Sequence, residues 1–160
     1  MKRFITAILV LAMVFTLTAP VFAADADNDG VTIAVGTKVE QNPEIPETRA
    51  VSAPTKYAPA SWYSVDHKWT AKYYTWSAYI FKCGWFGGSF ECWAQAPFTV
   101  ELYAPDGSFL EAASSNWSSY DGRYEVLFIF GEATDYYVKI INDGSTSILE
   151  DAYYCVQTDY

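Results

Sequence analysis

The chain has 160 residues, 51% of them hydrophobic and 18% aromatic, with ten basic against nineteen acidic side chains and a net charge of −9. A surface this acidic repels nucleic-acid phosphates and anionic lipid, so neither nucleic acid nor, once a leader is removed, membrane is expected as a partner. The length suits one domain with a leader and a tail.

Residues 1–23 read as a secretion signal. Lys2 and Arg3 form a basic start, Ile5 to Leu17 is apolar apart from two threonines, and Val21 and Ala23 supply the small residues of a cleavage site. The apolar run is short for a membrane span, so a secreted, extracellular protein is expected. Residues 24–59 read as an acidic, proline-containing linker, punctuated by Pro43, Pro46, Pro54 and Pro59 and poor in aromatic rings. Within it, Val31 to Val35 has the composition of a short strand. Asp25, Asp27 and Asp29 with Gly30 match the first half of a calcium loop, but Gly36 occupies the position of the closing carboxylate, so no metal and no cofactor are expected.

Composition changes sharply at residue 60. All six tryptophans and twelve of the thirteen tyrosines lie beyond it, and residues 60–160 are expected to form the folded domain. Lys72 to Cys83 is aromatic and β-branched in the manner of a strand. Gly84 to Ser89 must bend, and Phe90 to Ala94 returns. Phe98 to Tyr103 alternates strictly, with Phe98, Val100 and Leu102 on one face and Thr99, Glu101 and Tyr103 on the other. Pro105, Asp106 and Gly107 then turn the chain into Phe109 to Ala113, which makes a β-hairpin. After a polar loop at Asn116 to Gly122 come strands at Arg123 to Phe130 and Asp135 to Ile141, a turn at Asn142 to Ser145, and closing strands at Ile148 to Leu149 and Ala152 to Gln157. No window has a sustained helical period. The expected fold is all-β, a single antiparallel β-sandwich of jelly-roll-like form.

Cys83 and Cys92 flank a glycine-rich turn, and in an exported protein they are natural disulfide partners across a hairpin. Cys155 is then left to be buried, to pair with one of the other two, or to bridge two molecules. The turn between Cys83 and Cys92 presents Trp85 and Phe86, with Phe90 and Trp93 just beyond. Trp117 and Tyr120 form a second pair in the 116–122 loop. Exposed rings of this kind stack on sugars or anchor partners, so Trp85, Phe86, Trp93, Trp117 and Tyr120 are the candidate binding residues.

Catalytic signatures are weak. His67 is the single histidine, with Asp66 beside it in sequence and badly placed to orient its ring. Glu101 and Glu111 could face each other across the Asp106–Gly107 hairpin and imitate a glycosidase pair, but on a strand surface such carboxylates are more often solvated. The chain is not expected to be an enzyme.

The run Val100-Glu101-Leu102-Tyr103-Ala104-Pro105-Asp106-Gly107-Ser108-Phe109-Leu110, followed by Thr134-Asp135-Tyr136-Tyr137-Val138-Lys139-Ile140 and Tyr153-Tyr154-Cys155-Val156, resembles the bacterial pre-peptidase C-terminal (PPC) domains. The resemblance spans roughly Tyr73 to Val156. It implies a jelly-roll-like accessory module, usually attached to a secreted hydrolase, that assists secretion or substrate attachment and does no chemistry. The cysteine loop around Gly84 is foreign to that pattern, and no catalytic segment precedes the module in these 160 residues. The expected function is a secreted, non-catalytic β-sandwich that binds an extracellular polymer, such as polysaccharide or cell wall, or a protein. The alternative is a secreted antimicrobial or interaction protein acting on neighbouring cells.

Overall fold

The computed structural model describes residues 30–42, 52–59, 63–84, 87–144 and 148–157. Among the described residues there are twelve strands. They are β1 (Val31–Val35), β2 (Thr37–Lys38), β3 (Tyr63–Ala71), β4 (Tyr74–Trp76), β5 (Phe81–Cys83), β6 (Gly88–Ala94), β7 (Phe98–Tyr103), β8 (Phe109–Ser114), β9 (Asn116–Ser118), β10 (Arg123–Phe130), β11 (Thr134–Asn142) and β12 (Leu149–Gln157). One sheet has the order β1-β10-β6-β12-β3, with β9 also on β10. The other has the order β2-β8-β7-β11-β4, with β5 also on β11. Every strand pairing is antiparallel. The molecule is an all-β sandwich in a single domain.

The expected hairpin forms. Val100 stands opposite Ala113 and Glu101 opposite Ala112, and the register shifts by one near Tyr103. Its turn is built from local chemistry: Asp106 Oδ1 accepts the Ser108 N–H at 2.9 Å, and Gly107 takes φ 90°. Other segments differ from expectation. Lys72 to Cys83 is not one strand, because it breaks at Ser77 to Ile80 and leaves β4 and β5 as separate pieces on β11. Asn116 to Ser118, expected in a loop, is β9.

Part of the expected linker belongs to the domain. β1 forms an edge of the first sheet against β10, and β2 an edge of the second against β8. Residues 52–59 lie along the Ser77–Ile80 bend through a parallel bridge between Tyr57 and Ile80. The expected signal segment and the Asp25, Asp27 and Asp29 half-loop lie outside the described residues.

The core between the sheets is dominated by rings. Phe81, Phe90, Phe98, Phe128, Phe130, Tyr136 and Tyr153 are each at most 2% exposed. Phe130 stacks on Tyr136 at 4.2 Å, and Phe90 packs on Tyr153 at 5.3 Å. Full burial of one such side chain is worth about 1.5–3 kcal/mol, so ring burial is the main stabilising term. The phenols that enter the core keep partners: Tyr136 Oη lies 3.2 Å from Cys155 Sγ, and Tyr153 Oη accepts the Ala78 N–H at 3.2 Å.

The expected Cys83–Cys92 disulfide is not formed; all three cysteines are free and buried. The two residues do not flank a hairpin, because the chain crosses from one sheet to the other between them. Cys83 is on β5, opposite Thr134 of β11, whereas Cys92 is on β6, between Val126 and Tyr153. A Cβ on Gly88 would stand 3.0 Å from the Cys83 sulfur, so that sulfur faces β6 four positions before Cys92. Four strand residues span about 13 Å, far beyond disulfide reach. Burial pushes the thiols up, Cys83 to about 11 and Cys155 to about 12, with Cys92 also well above its ordinary value.

Candidate functional site

The outer face of the first sheet is the open one. Along its central strand β6, Phe90, Cys92 and Ala94 point into the core, so the alternation turns Ser89, Glu91 and Trp93 outward. On β10, Val126, Phe128 and Phe130 point inward, which turns Arg123, Glu125, Leu127 and Ile129 outward. The register sets Glu125 and Ala152 on either side of Trp93, and Leu127 and Tyr154 on either side of Glu91.

A tryptophan in the middle of this face is held by charge. The Arg123 guanidinium lies over the indole of Trp93, 4.6 Å from its ring centroid. Arg123 Nε donates to Glu125 Oε1 at 2.6 Å, and Nη2 donates to Glu91 Oε1 at 3.2 Å. The side chains of Arg123, Glu91 and Glu125 are 26%, 34% and 14% exposed, so each is reachable but partly desolvated. Burial pushes the Glu91 carboxyl above its usual range; Arg123 opposes this, while Glu125 and Asp121 add to it. For Arg123 burial works against the charge, but Glu125, Glu91 and Asp121 outweigh it and hold the guanidinium above its ordinary value. The result is a half-buried indole with a guanidinium over its ring and two carboxylates bonded to that guanidinium.

Of the other expected ring residues among the described ones, Trp117 is on the opposite side of the sheet. Trp117, 55% exposed, stands opposite Tyr124 and packs edge-on against it at 5.1 Å. Tyr124 in turn pairs with Ala94, which points to the core, so Trp117 and Trp93 lie on opposite sides of the sheet. Tyr120 is at the tip of the β9–β10 hairpin and is 96% exposed. Phe90 is in the core. Trp85 and Phe86 lie outside the described residues.

The outer face of the second sheet is a closed polar and aromatic layer. Thr99, Glu101 and Tyr103, which alternation turns away from the core, are nevertheless buried: Gln41 and Asn42 reach over them, bonding Tyr103 and Glu101, and Tyr103 also packs with Trp76, Phe109 and Tyr137. Glu101 is 0% exposed. Its carboxylate accepts the Asn42 N–H at 3.0 Å and the Tyr103 hydroxyl at 2.6 Å, with Lys139 Nζ at 3.7 Å. Lys139 also lies over the rings of Tyr74 and Trp76, at 4.9 and 5.7 Å. Tyr103 and Tyr137 stack at 5.6 Å. Burial first, then the bond to Glu101, hold the Tyr103 phenol well above its ordinary value, so it stays a donor. Beside this layer a shallow cleft of ≈ 270 Å³ opens between Val39, Asn42, Thr99 and Asp143. Glu101 itself is 0% exposed and engaged by Asn42, Tyr103 and Lys139.

The candidate catalytic groups do not assemble. Glu101 stands opposite Ala112, whereas Glu111 stands opposite Leu102 and pairs with Lys38 at 3.0 Å, so the two carboxylates are on opposite faces of the hairpin. The His67 ring packs against Tyr79 and Tyr153, at 5.8 and 5.2 Å. Asp66 is one register position away, opposite Tyr154. No family model matches the chain, and neither the curated proteins nor the solved structures contain a match to it.

Proposed function

We propose that this protein is a secreted, non-catalytic binding module that holds an extracellular polymer on the outer face of its first sheet. The observation that carries this reading is Trp93, set on the solvent side of the central strand and held under Arg123 by two carboxylates. An outward tryptophan contributes little to the core, yet three charged side chains are ordered around it. Rings presented this way bind flat apolar surfaces at low entropic cost, while the carboxylates and guanidinium orient hydroxyls. The signal-like N-terminus supports export, and raised thiol pKa values suppress the thiolate chemistry that would make free cysteines hazardous outside the cell. Kinship with PPC accessory domains belongs to the same proposal. The test is retention of the protein on insoluble polysaccharide and cell-wall matrices, compared with Trp93→Ala. Retention lost in a variant of unchanged circular dichroism supports the reading. No retention on any matrix, or equal retention of the variant, overturns it.

A further inference from the structure

Resting on the reading just given, we infer that the ligand of the Trp93 face is an uncharged, hydroxyl-rich polysaccharide chain in an extended form. Charge on the face argues for this. The cation beside the indole, Arg123, is already engaged by Glu91 and Glu125, so the group as a whole carries a net negative charge within a chain whose total is −9. A polyanion brought here meets Glu91 and Glu125 around Arg123, and across β12 and β3 the same face adds Glu150 and Lys68, so carboxylates outnumber cations by three to two and a polyanion is repelled. An uncharged hydroxyl chain meets no such cost. It can donate to the second carboxylate oxygens of Glu91 and Glu125 and accept from the outer Nη1 of Arg123, because the two internal bonds use only one oxygen of each carboxylate and the Nε and Nη2 of the guanidinium.

Shape argues the same way. Tyr154, opposite Glu91 on β12, is the diagonal neighbour of Trp93, and such positions lie about 7–8 Å apart. Two half-buried rings at that separation suit two sugar rings of one extended chain: Arg123 covers one face of the Trp93 indole, so the sugar meets its other face or edge while its hydroxyls reach the charged rim. A protein partner would have to bring a cation to compensate the desolvated carboxylates at the interface centre, whereas hydroxyls compensate them by hydrogen bonds alone.

Affinity electrophoresis of the full chain through gels containing soluble neutral glucans, xylan or mannan, or polygalacturonate, tests this. The expected result is retardation by at least one neutral polymer and by no polyanion, with affinity changed less than twofold between about 0.1 and about 1 M salt, where screening removes long-range charge effects. Trp93→Ala should weaken it at least tenfold and Tyr154→Ala several-fold, each with unchanged circular dichroism; the second variant serves if the first fails to fold. Retardation by polygalacturonate that depends on Trp93 and fades with salt overturns the inference and leaves the face as a binding site. Retardation by nothing, or retardation indifferent to both ring substitutions, overturns the binding face itself.

Discussion

Glu101→Ala should cost this domain a large part of its stability, because the side chain is the buried acceptor that holds the Asn42 backbone, the Tyr103 hydroxyl and Lys139. The carboxylate is 0% exposed, and its partner Lys139 is only 13% exposed. Removing one member of a buried ion pair costs about 3–5 kcal/mol, since the other charge is left without compensation. The Asn42 N–H and the Tyr103 hydroxyl also lose an ionised acceptor, and each such hydrogen bond is worth about 1.5–3 kcal/mol. These terms overlap, because Lys139 can move toward solvent over Tyr74 and Trp76, so the expected total stays at about 3–5 kcal/mol. Against a typical total of about 5–15 kcal/mol this is about a fifth or more of the stability. In urea, with a slope of about 1–3 kcal/mol per molar, the midpoint should fall by about 1–5 M, read by tryptophan fluorescence. Glu101→Gln keeps the shape and one acceptor oxygen and should cost about 1–3 kcal/mol. Glu101→Leu combined with Lys139→Met removes both charges and should recover at least half of the loss. A loss below about 1 kcal/mol for Glu101→Ala, or a double variant as unstable as the single, would refute the reasoning.

Thiol counting checks the cysteine arrangement: three thiols should react after unfolding without reductant, and essentially none in the native protein at pH 8, where burial suppresses the thiolates. Fewer than two reactive thiols in the unfolded, unreduced chain would restore a disulfide. Burial raises the carboxyl of Asp143; the bond from Thr99 opposes this and nearby Glu101 adds to it. A folded pKa above the unfolded one means that ionising the group opposes folding, so its contribution worsens as pH rises through the raised value. Asp143→Asn should therefore gain stability relative to the parent as pH rises from the ordinary carboxylate value through the raised one, and a flat or opposite difference in unfolding free energy would exclude this. Trp117→Ser and Tyr120→Ser should leave polymer retention unchanged, because Trp117 is on the opposite side of the sheet from Trp93 and Tyr120 stands at the tip of the β9–β10 hairpin. If either abolishes retention, the binding surface lies at the β9–β10 end instead.

Local chemistry alone determined the hairpin from Phe98 to Ser114 and the strand at Arg123 to Phe130. There the alternation of side chains and the Pro105-Asp106-Gly107 turn act over a few residues, and no distant partner is needed to interpret them. The all-β class followed from the same short periods. Tertiary structure decided which sheet each strand joins, and with it everything about the sites. Cys83 and Cys92 look like partners nine positions apart, but the chain changes sheets between them. Thr99, Glu101 and Tyr103 alternate as solvent-facing residues, yet a segment about 60 positions earlier covers them and satisfies Glu101. Trp93 lay in a window that marked it as a strand residue, but its meaning depended on β10 and β12 lying beside β6, with Arg123 32 positions away from Glu91 in sequence and in contact with it. Periodicity records which residues share a face; whether that face meets a core, a crossing segment or open water is set by contacts between residues far apart in the chain.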